Sequence, residues 1–204
     1  MEKWLLWAME IQSLAQAGLA YTDNVYDTER YNRLREISAE MISEQSDIPL
    51  KKVRELFCNE TGYQTPKIDT RAAVFKDGKI LLVHENNGTW SLPGGWCDVL
   101  ESVRSNTEKE VREEAGLEVK ATKLIAIQDR NKHNPPVYAY GVCKVFILCS
   151  LVGGEFHKNS ETVETGFFGL EEIPKNLAEE KTNLKQIEMC FSAYNSRTWQ
   201  PLFD

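Results

Sequence analysis

Glu110, Glu113 and Glu114 stand three and four residues apart in the segment GWCDVLESVRSNTEKEVREEAGL, residues 95–117. On a helix that spacing brings all three carboxylates to one face. Like charges so placed repel, and the usual remedies are solvation, a cationic neighbour or a bound divalent metal. The segment begins at a glycine turn, Pro93-Gly94-Gly95, where backbone without a side chain can approach an ion closely. A patch of carboxylate oxygens suits magnesium, which keeps several of its own waters and rarely enters a closed protein cage. Such an ion neutralises nearby anionic oxygens and acidifies a bound water, so the chemistry this spacing permits is metal-assisted catalysis. A solvent-exposed acidic helix ended by Gly116 accounts for Glu113, Glu114 and Gly116 by themselves. It leaves Gly95 and Glu101 unexplained, along with the turn that runs from Trp90 to Gly95.

The elements that must position these residues follow from pattern. Residues 1–60 have helical periodicity, with Trp4, Ala8, Ile11, Leu14 and Ala15 as one stripe, Tyr31, Leu34, Ile37, Met41 and Ile42 as a second, and Val53, Leu56 and Phe57 as a short third. Asp27 and Asp47 read as caps or turn residues, and Pro49 suits a first helical turn. Three short helices bury little surface, so they should pack on the following domain or on a second copy. From Thr61 the texture becomes turn-rich, and strands are expected at 69–75 and 79–84 around Lys76-Asp77-Gly78, a hairpin signal. Two longer strands are expected at 117–128 and 137–152, a last one at Phe167-Phe168, and a closing helix over 177–194 with Leu184, Ile187, Cys190 and Phe191 inward. Mixed strands with flanking helices imply an α/β sandwich from residue 66 to 204, preceded by an all-α domain at 1–65.

The whole chain narrows the function classes. At 204 residues it can build a real core, and its 42% hydrophobic and 27% charged residues are an ordinary composition for a soluble protein. A net charge of −7 argues against general attraction to nucleic acid or anionic lipid. No apolar run is long enough to cross a membrane, and the first residues lack the apolar centre of a signal peptide, so a cytoplasmic chain is expected. Cys58, Cys97, Cys143, Cys149 and Cys190 are odd in number and form no CxxC pair, which reads as free thiols. Asn87-Gly-Thr89 then reads as a hairpin turn.

Gly95, Glu101, Glu110, Val111, Glu113, Glu114, Gly116 and Leu117 together match the signature of the Nudix hydrolases, and the segment resembles that family. One position departs, since Lys109 stands where the family pattern has arginine; a planar fork is replaced by a flexible point charge. The resemblance implies a Nudix α/β/α sandwich with a mixed sheet. It implies cleavage of a nucleoside diphosphate linked to another moiety, with Mg2+ as cofactor and Mn2+ able to substitute. As metal ligands it implies Glu110 and Glu114, Glu113 directly or through water, and the Gly94 carbonyl, with Glu101 orienting the cluster or binding a further ion. A family base is often a carboxylate on a late loop, for which Glu161 and Glu164 are the candidates, each equally readable as a surface acid; Glu113 or Glu114 could also serve.

The turn GGWCDVLES, Lys109, the stretch DRNKHNPPVYAY and the leading helices resemble the bacterial subgroup of CDP-choline pyrophosphatases, also described as ADP-ribose pyrophosphatases. That implies CDP-choline as first substrate and ADP-ribose as second, with the helices forming a homodimer and completing the substrate pocket. Arg130, Lys132 and His133 form a basic cluster suited to phosphate, and Arg71 could do similar work from the first strand. Trp96, Tyr138 and Tyr140 could stack on a base or surround a trimethylammonium, or belong to a core or interface. A competing class is a nucleotide-sensing regulator that binds DNA through residues 42–56, with Lys51, Lys52 and Arg54 opening its second helix. Glu36, Glu40, Glu44, Asp47, Glu55 and Glu60 surround those cations, so DNA is not the expected partner.

Overall fold

The computed structural model describes residues 2–57 and 60–204, so Cys58 lies outside the described residues. The chain divides into two compact units, a helical one of Met1–Pro66 with Val137–Gly141 and a sheet-bearing one of Lys67–Pro136 with Val142–Asp204. In the helical unit α1 spans Lys3–Tyr21, α2 Val25–Glu44 and α3 Leu50–Phe57. Asn24, not Asp27, caps α2, accepting the N–H groups of Tyr26 and Asp27; Asp27 lies in the first turn, where the helix dipole favours it. The buried face of α1 is Ala8, Gln12, Ala15 and Gln16, so Leu14 leaves the expected stripe and stands 65% exposed. Small side chains let the helices approach closely, and Gly18 makes room for the Tyr31 ring. Ala8, Ala39, Ile42, Val53 and Phe57 form the core, with Ala139 packed against it.

In the sheet unit β1 spans Lys67–Lys76, β2 Lys79–Glu85, β3 Trp90–Ser91, β4 Leu117–Asp129, β5 Val142–Gly154, β6 Thr162–Phe168 and β7 Leu202–Phe203. The order is β3-β2-β1-β5-β4-β7, with β6 on β2. The pair β1–β5 is parallel and β4–β5 antiparallel, so the sheet is mixed. Asp77 and Gly78, both at positive φ, make the expected hairpin turn. Asn87 Oδ1 accepts the Thr89 N–H at 2.9 Å in the second turn. Helix α4, Val103–Ala115, covers one face through Val111 and Ala115, which pack with Ala72, Val74, Val145 and Ile147. Helix α6, Leu184–Asn195, covers the other through Ile187, Cys190 and Phe191. The short α5 is Arg130–His133.

Two expected boundaries are corrected. The strand expected from Val137 begins at Val142, because residues 137–141 belong to the helical unit, where Gly141 lies against Pro66. The Tyr and Val pattern there favours extended backbone, but packing decides its partner. The closing helix begins at Leu184 because Asn183 caps it, and Leu184 itself is half-exposed. Residues 176–182 dock instead beside β3, with Trp90 N–H donating to Asn176 O at 3.0 Å and Ala178 N–H to Trp90 O at 2.8 Å. Among the described cysteines, Cys97, Cys143, Cys149 and Cys190 are all free. No described helix is long and apolar enough to cross a membrane.

Candidate active site

The two strands of the first hairpin part early, since β2 matches β1 only at Phe75–Ile80 and Lys76–Lys79 before pairing with β6. The edge of β1 thus freed is taken by the glycine turn. Thr70 N–H donates to Gly95 O and Ala72 N–H to Pro93 O, each at 2.8 Å, and Cys97 N–H donates to Ile68 O at 2.9 Å. Gly94 has φ +142°, and an added Cβ would overlap the Thr70 carbonyl, so glycine is required on both counts. A capping box of Ser102 and Ser105 starts α4, and Gly116, at φ +67°, ends it. Between these stops the apolar Val111 and Ala115 set the rotation of the helix, which turns Glu110 and Glu114 toward the glycine turn.

Gly94 N–H donates to Glu114 Oε2 at 2.8 Å. A Cβ on Gly95 would lie 2.9 Å from Glu110 Oε2, so this glycine leaves room for that carboxylate. Burial pushes the Glu114 carboxyl up to about 7, against the opposing pull of Arg71 and the Gly94 N–H. Burial also raises Glu110, with Lys109 lowering it and the Glu113 charge raising it further. Glu113 is exposed. It lies 3.6 Å from Lys109, which pairs with Asp98 at 2.6 Å. The variant lysine thus ties the helix to the loop after the glycine turn through Asp98. Glu101, partly buried, begins the approach to α4, and its N–H donates to Asp98 O at 3.0 Å.

Among the described residues no three His, Cys, Asp or Glu side chains converge closely enough to chelate an ion by themselves. Two partly desolvated carboxylates facing a bare glycine backbone do suit a hydrated ion such as magnesium, which needs few protein oxygens. Glu110 and Glu114 are the residues that would hold it.

The other expected site residues separate. Arg71 is buried with both Nε and Nη2 on Asp69, at 3.0 and 2.7 Å, and Nη1 on Leu92 O at 3.2 Å. With its donors on Asp69 and Leu92, it sits in the protein interior behind the glycine turn. Arg130 is also buried and donates to Pro136 O. Lys132 and His133 both face the Asp204 carboxylate, just after β7, at 3.6 and 3.3 Å. Trp96 is 48% exposed beside the glycine turn. Tyr138 and Tyr140 lie in the helical unit with ring centroids 5.3 Å apart. Glu164 stands on β6 opposite His84, 3.7 Å from its ring, while Glu161 lies on the loop before that strand and its charge acts on Glu110.

Sequence reasoning missed Asp69, Asp98 and Asn106. Asp69 and Arg71 have opposite charge at strand spacing two, a signal of a same-face pair. Asn106, fully buried in α4, donates to Thr70 Oγ1 at 2.9 Å and accepts the Asp98 N–H at 3.2 Å. A polar residue on the helix's apolar side was its signal.

Residues 65–188 match the NUDIX domain family, and residues 2–57 match a family described as the UDP-X-like, N-terminal oligomerisation domain. A Bacillus subtilis relative with the provisional name of an ADP-ribose pyrophosphatase is 38% identical over 203 residues, 99% of this chain and 97% of its own. A crystal structure of an ADP-ribose pyrophosphatase from Streptococcus suis is 55% identical, covering 69% of this chain and 100% of that one, with a TM-score of 0.64. A UDP-X diphosphatase structure is 32% identical over 98% of this chain and 97% of its own, also at 0.64. The matched domain and the pyrophosphatase relatives mark the sheet unit as a hydrolase of pyrophosphate bonds. The chain belongs to the Nudix hydrolase family and carries that family's UDP-X-like helical domain at its N-terminal end.

Proposed function

We propose that this chain is a magnesium-dependent pyrophosphohydrolase of nucleoside diphosphate derivatives, with ADP-ribose as first substrate and AMP and ribose 5-phosphate as products. The observation that carries the reading is the pair Glu110 and Glu114, held against the glycine backbone with raised proton affinity and in need of a cation. The named relatives favour ADP-ribose over CDP-choline, which becomes second, and the helical domain's description adds uridine diphosphate conjugates.

A bound magnesium ion would withdraw charge from the diphosphate and acidify the attacking water. Glu110 and Glu114 would hold that positive charge in place, with Glu113 offering a further exposed carboxylate beside them. Glu161 is the favoured acceptor of the water's proton, while Glu164 faces His84 on the strand. Water oxygen bonds to phosphorus, the bridging P–O bond breaks, and its electron pair leaves with the departing phosphate. Trp96, exposed beside the turn, offers a stacking face to the substrate.

The helical unit is assigned to homodimer formation. Trp7, Leu14 and Tyr21 recur at seven-residue spacing along α1 and are 56%, 65% and 78% exposed, a stripe suited to a second copy. Arg54, one of the three cations behind the DNA reading, is ion-paired with Glu36 at 2.5 Å. Free thiols fit a reducing, cytoplasmic setting.

The test is a panel of ADP-ribose, CDP-alcohols, uridine diphosphate sugars and oxidised nucleoside triphosphates with magnesium or manganese, with products identified. ADP-ribose turnover to AMP is expected. No turnover across the panel would overturn the reading.

A further inference from the structure

The segment between β5 and β6 carries Asn159 to the carboxyl-terminal end of α4. Its side-chain amide donates to the Glu113 carbonyl at 3.0 Å and to the Glu114 carbonyl at 3.2 Å. The last carbonyls of a helix have no partners within it, so these are groups that a donor from outside can claim. The other end of the same side chain is also occupied. Asn159 Oδ1 accepts the Glu161 N–H at 2.9 Å and the Thr162 N–H at 2.8 Å, and the Asn159 N–H donates to Thr162 O at 3.1 Å. Both carbonyls can only accept and both backbone amides can only donate, so the orientation of the Asn159 amide is dictated by its partners.

From the opposite side, Asn86 holds the same loop, its N–H donating to Glu161 O at 3.2 Å and its side-chain amide to Ser160 O. Glu161 is exposed as a side chain, yet its backbone is tied on both flanks. One of those ties runs through a single side chain to the peptide groups of the two glutamates that end α4. Glu164, by contrast, rides on β6 and has no such link to α4 among the described contacts. A carboxylate on an otherwise unanchored loop samples many positions, and proton transfer demands one within hydrogen-bond reach of the water.

We propose that Asn159 is a positioning residue for the hydrolysis, locking the backbone of Glu161 to that of Glu113 and Glu114 so that the Glu161 carboxylate meets the attacking water at a set distance from the α4 carboxylates. In the step concerned the water's proton passes to Glu161 as its oxygen bonds to phosphorus and the bridging oxygen departs with the P–O electron pair. The proposal rests on the pyrophosphohydrolase reading above and selects Glu161 as base. A purely structural role for Asn159 would also join the loop to the helix, but its loss would then act on stability and would be indifferent to the chemistry of Glu161.

Steady-state kinetics of the full chain with magnesium and ADP-ribose, or whichever panel substrate is turned over, separates the two. The variants are Asn159→Ala, Asn159→Asp, Glu161→Gln and the double variant Asn159→Ala/Glu161→Gln, with thermal unfolding of each. Glu161→Gln is expected to lower kcat about a hundredfold, the middle of the usual range for a lost general base. Asn159→Ala should lower kcat about tenfold with KM within about twofold. Asn159→Asp should lose as much, because it keeps the acceptor for Glu161 and Thr162 but cannot donate to the helix carbonyls; where Asn159→Ala does not fold, this variant decides. The double variant should be no slower than Glu161→Gln within about twofold, since the two residues act as one unit. An unchanged kcat in the Asn159 variants, an equal fractional loss in the Glu161→Gln background, or full activity of Glu161→Gln would each overturn the proposal. Inactivity of the unaltered chain on every substrate overturns the parent reading, whereas an active chain disabled by Glu114→Gln but indifferent to Asn159 overturns this inference alone.

Discussion

The sheet unit hides charge, and the helical unit displays apolar surface. Behind the glycine turn Asp69, Arg71 and Lys144 are buried together, and Asn106 is fully enclosed in α4. On α1 and α2, Leu6, Trp7, Leu14, Tyr21, Val25 and Tyr26 stay open to solvent in the single chain. The contrast separates two ways of using a sequence. Two apolar clusters, one on each face of the sheet, stabilise the first unit enough to carry costly buried polar groups that hold a site in shape. The second has one small cluster and leaves several of its larger side chains exposed.

The strongest way to break the comparison is at the acids that the sheet unit holds in place. Glu114→Gln keeps the shape and removes the charge, and hydrolysis should fall about a thousandfold while thermal unfolding is unchanged or raised. Turnover within about tenfold of the parent would remove Glu114 from the metal platform.

Next in size, Asp69→Ala leaves the Arg71 guanidinium buried without its carboxylate and should cost about 3–5 kcal/mol in denaturant unfolding. A loss under about 1 kcal/mol would mean that the buried pair is not what braces the strand behind the turn.

In the helical unit, Trp7→Glu combined with Leu14→Glu should weaken self-association at least about tenfold, measured by sedimentation across a concentration series, with little effect on folding of the monomer. An unaltered sedimentation profile would overturn the proposed dimer face on α1.

A further effect is one of slope. Burial, aided by the Arg71 charge, lowers the Lys144 ammonium from 10.5 to about 7. Between those values the unfolded chain holds a proton that the folded one does not, so this group's contribution to stability rises with pH, is complete above 10.5, and is lost as pH falls through about 7. The parent should therefore gain on Lys144→Met as the pH is raised from 7 to 10 in parallel denaturant titrations. A constant difference would show that Lys144 keeps its ordinary proton affinity.

Much of the sheet unit was legible in the chain. The segments expected as strands at 69–75, 79–84 and 117–128 became β1, β2 and β4, and Lys76-Asp77-Gly78 marked the first turn. Gly95, Glu101 and the trio Glu110, Glu113 and Glu114 identified the acidic helix because spacing along a helix is itself spatial information. The spacing of Asp69 and Arg71 signals a same-face pair, but only the fold shows that the pair is buried. Lys132 and His133 were legible as a basic cluster, but their partner, Asp204, lies far along the chain. Residues 137–141 carry strand-forming residues and nonetheless pack with helices, because propensity is a weak preference that neighbours overrule.

By itself the sequence determined what is local: which residues form helix and strand, where glycine must bend the backbone, and that three carboxylates share a helical face. Those properties depend on bond geometry and on residues a few positions apart. The tertiary structure alone decided which charges are spent and which remain for chemistry. It paired Arg71 with Asp69 and Lys109 with Asp98, brought Gly94 to Glu114, and bound Asn159 to the end of α4. Such choices rest on groups distant in the chain competing for the same partner at hydrogen-bond range, a contest that exists only after folding.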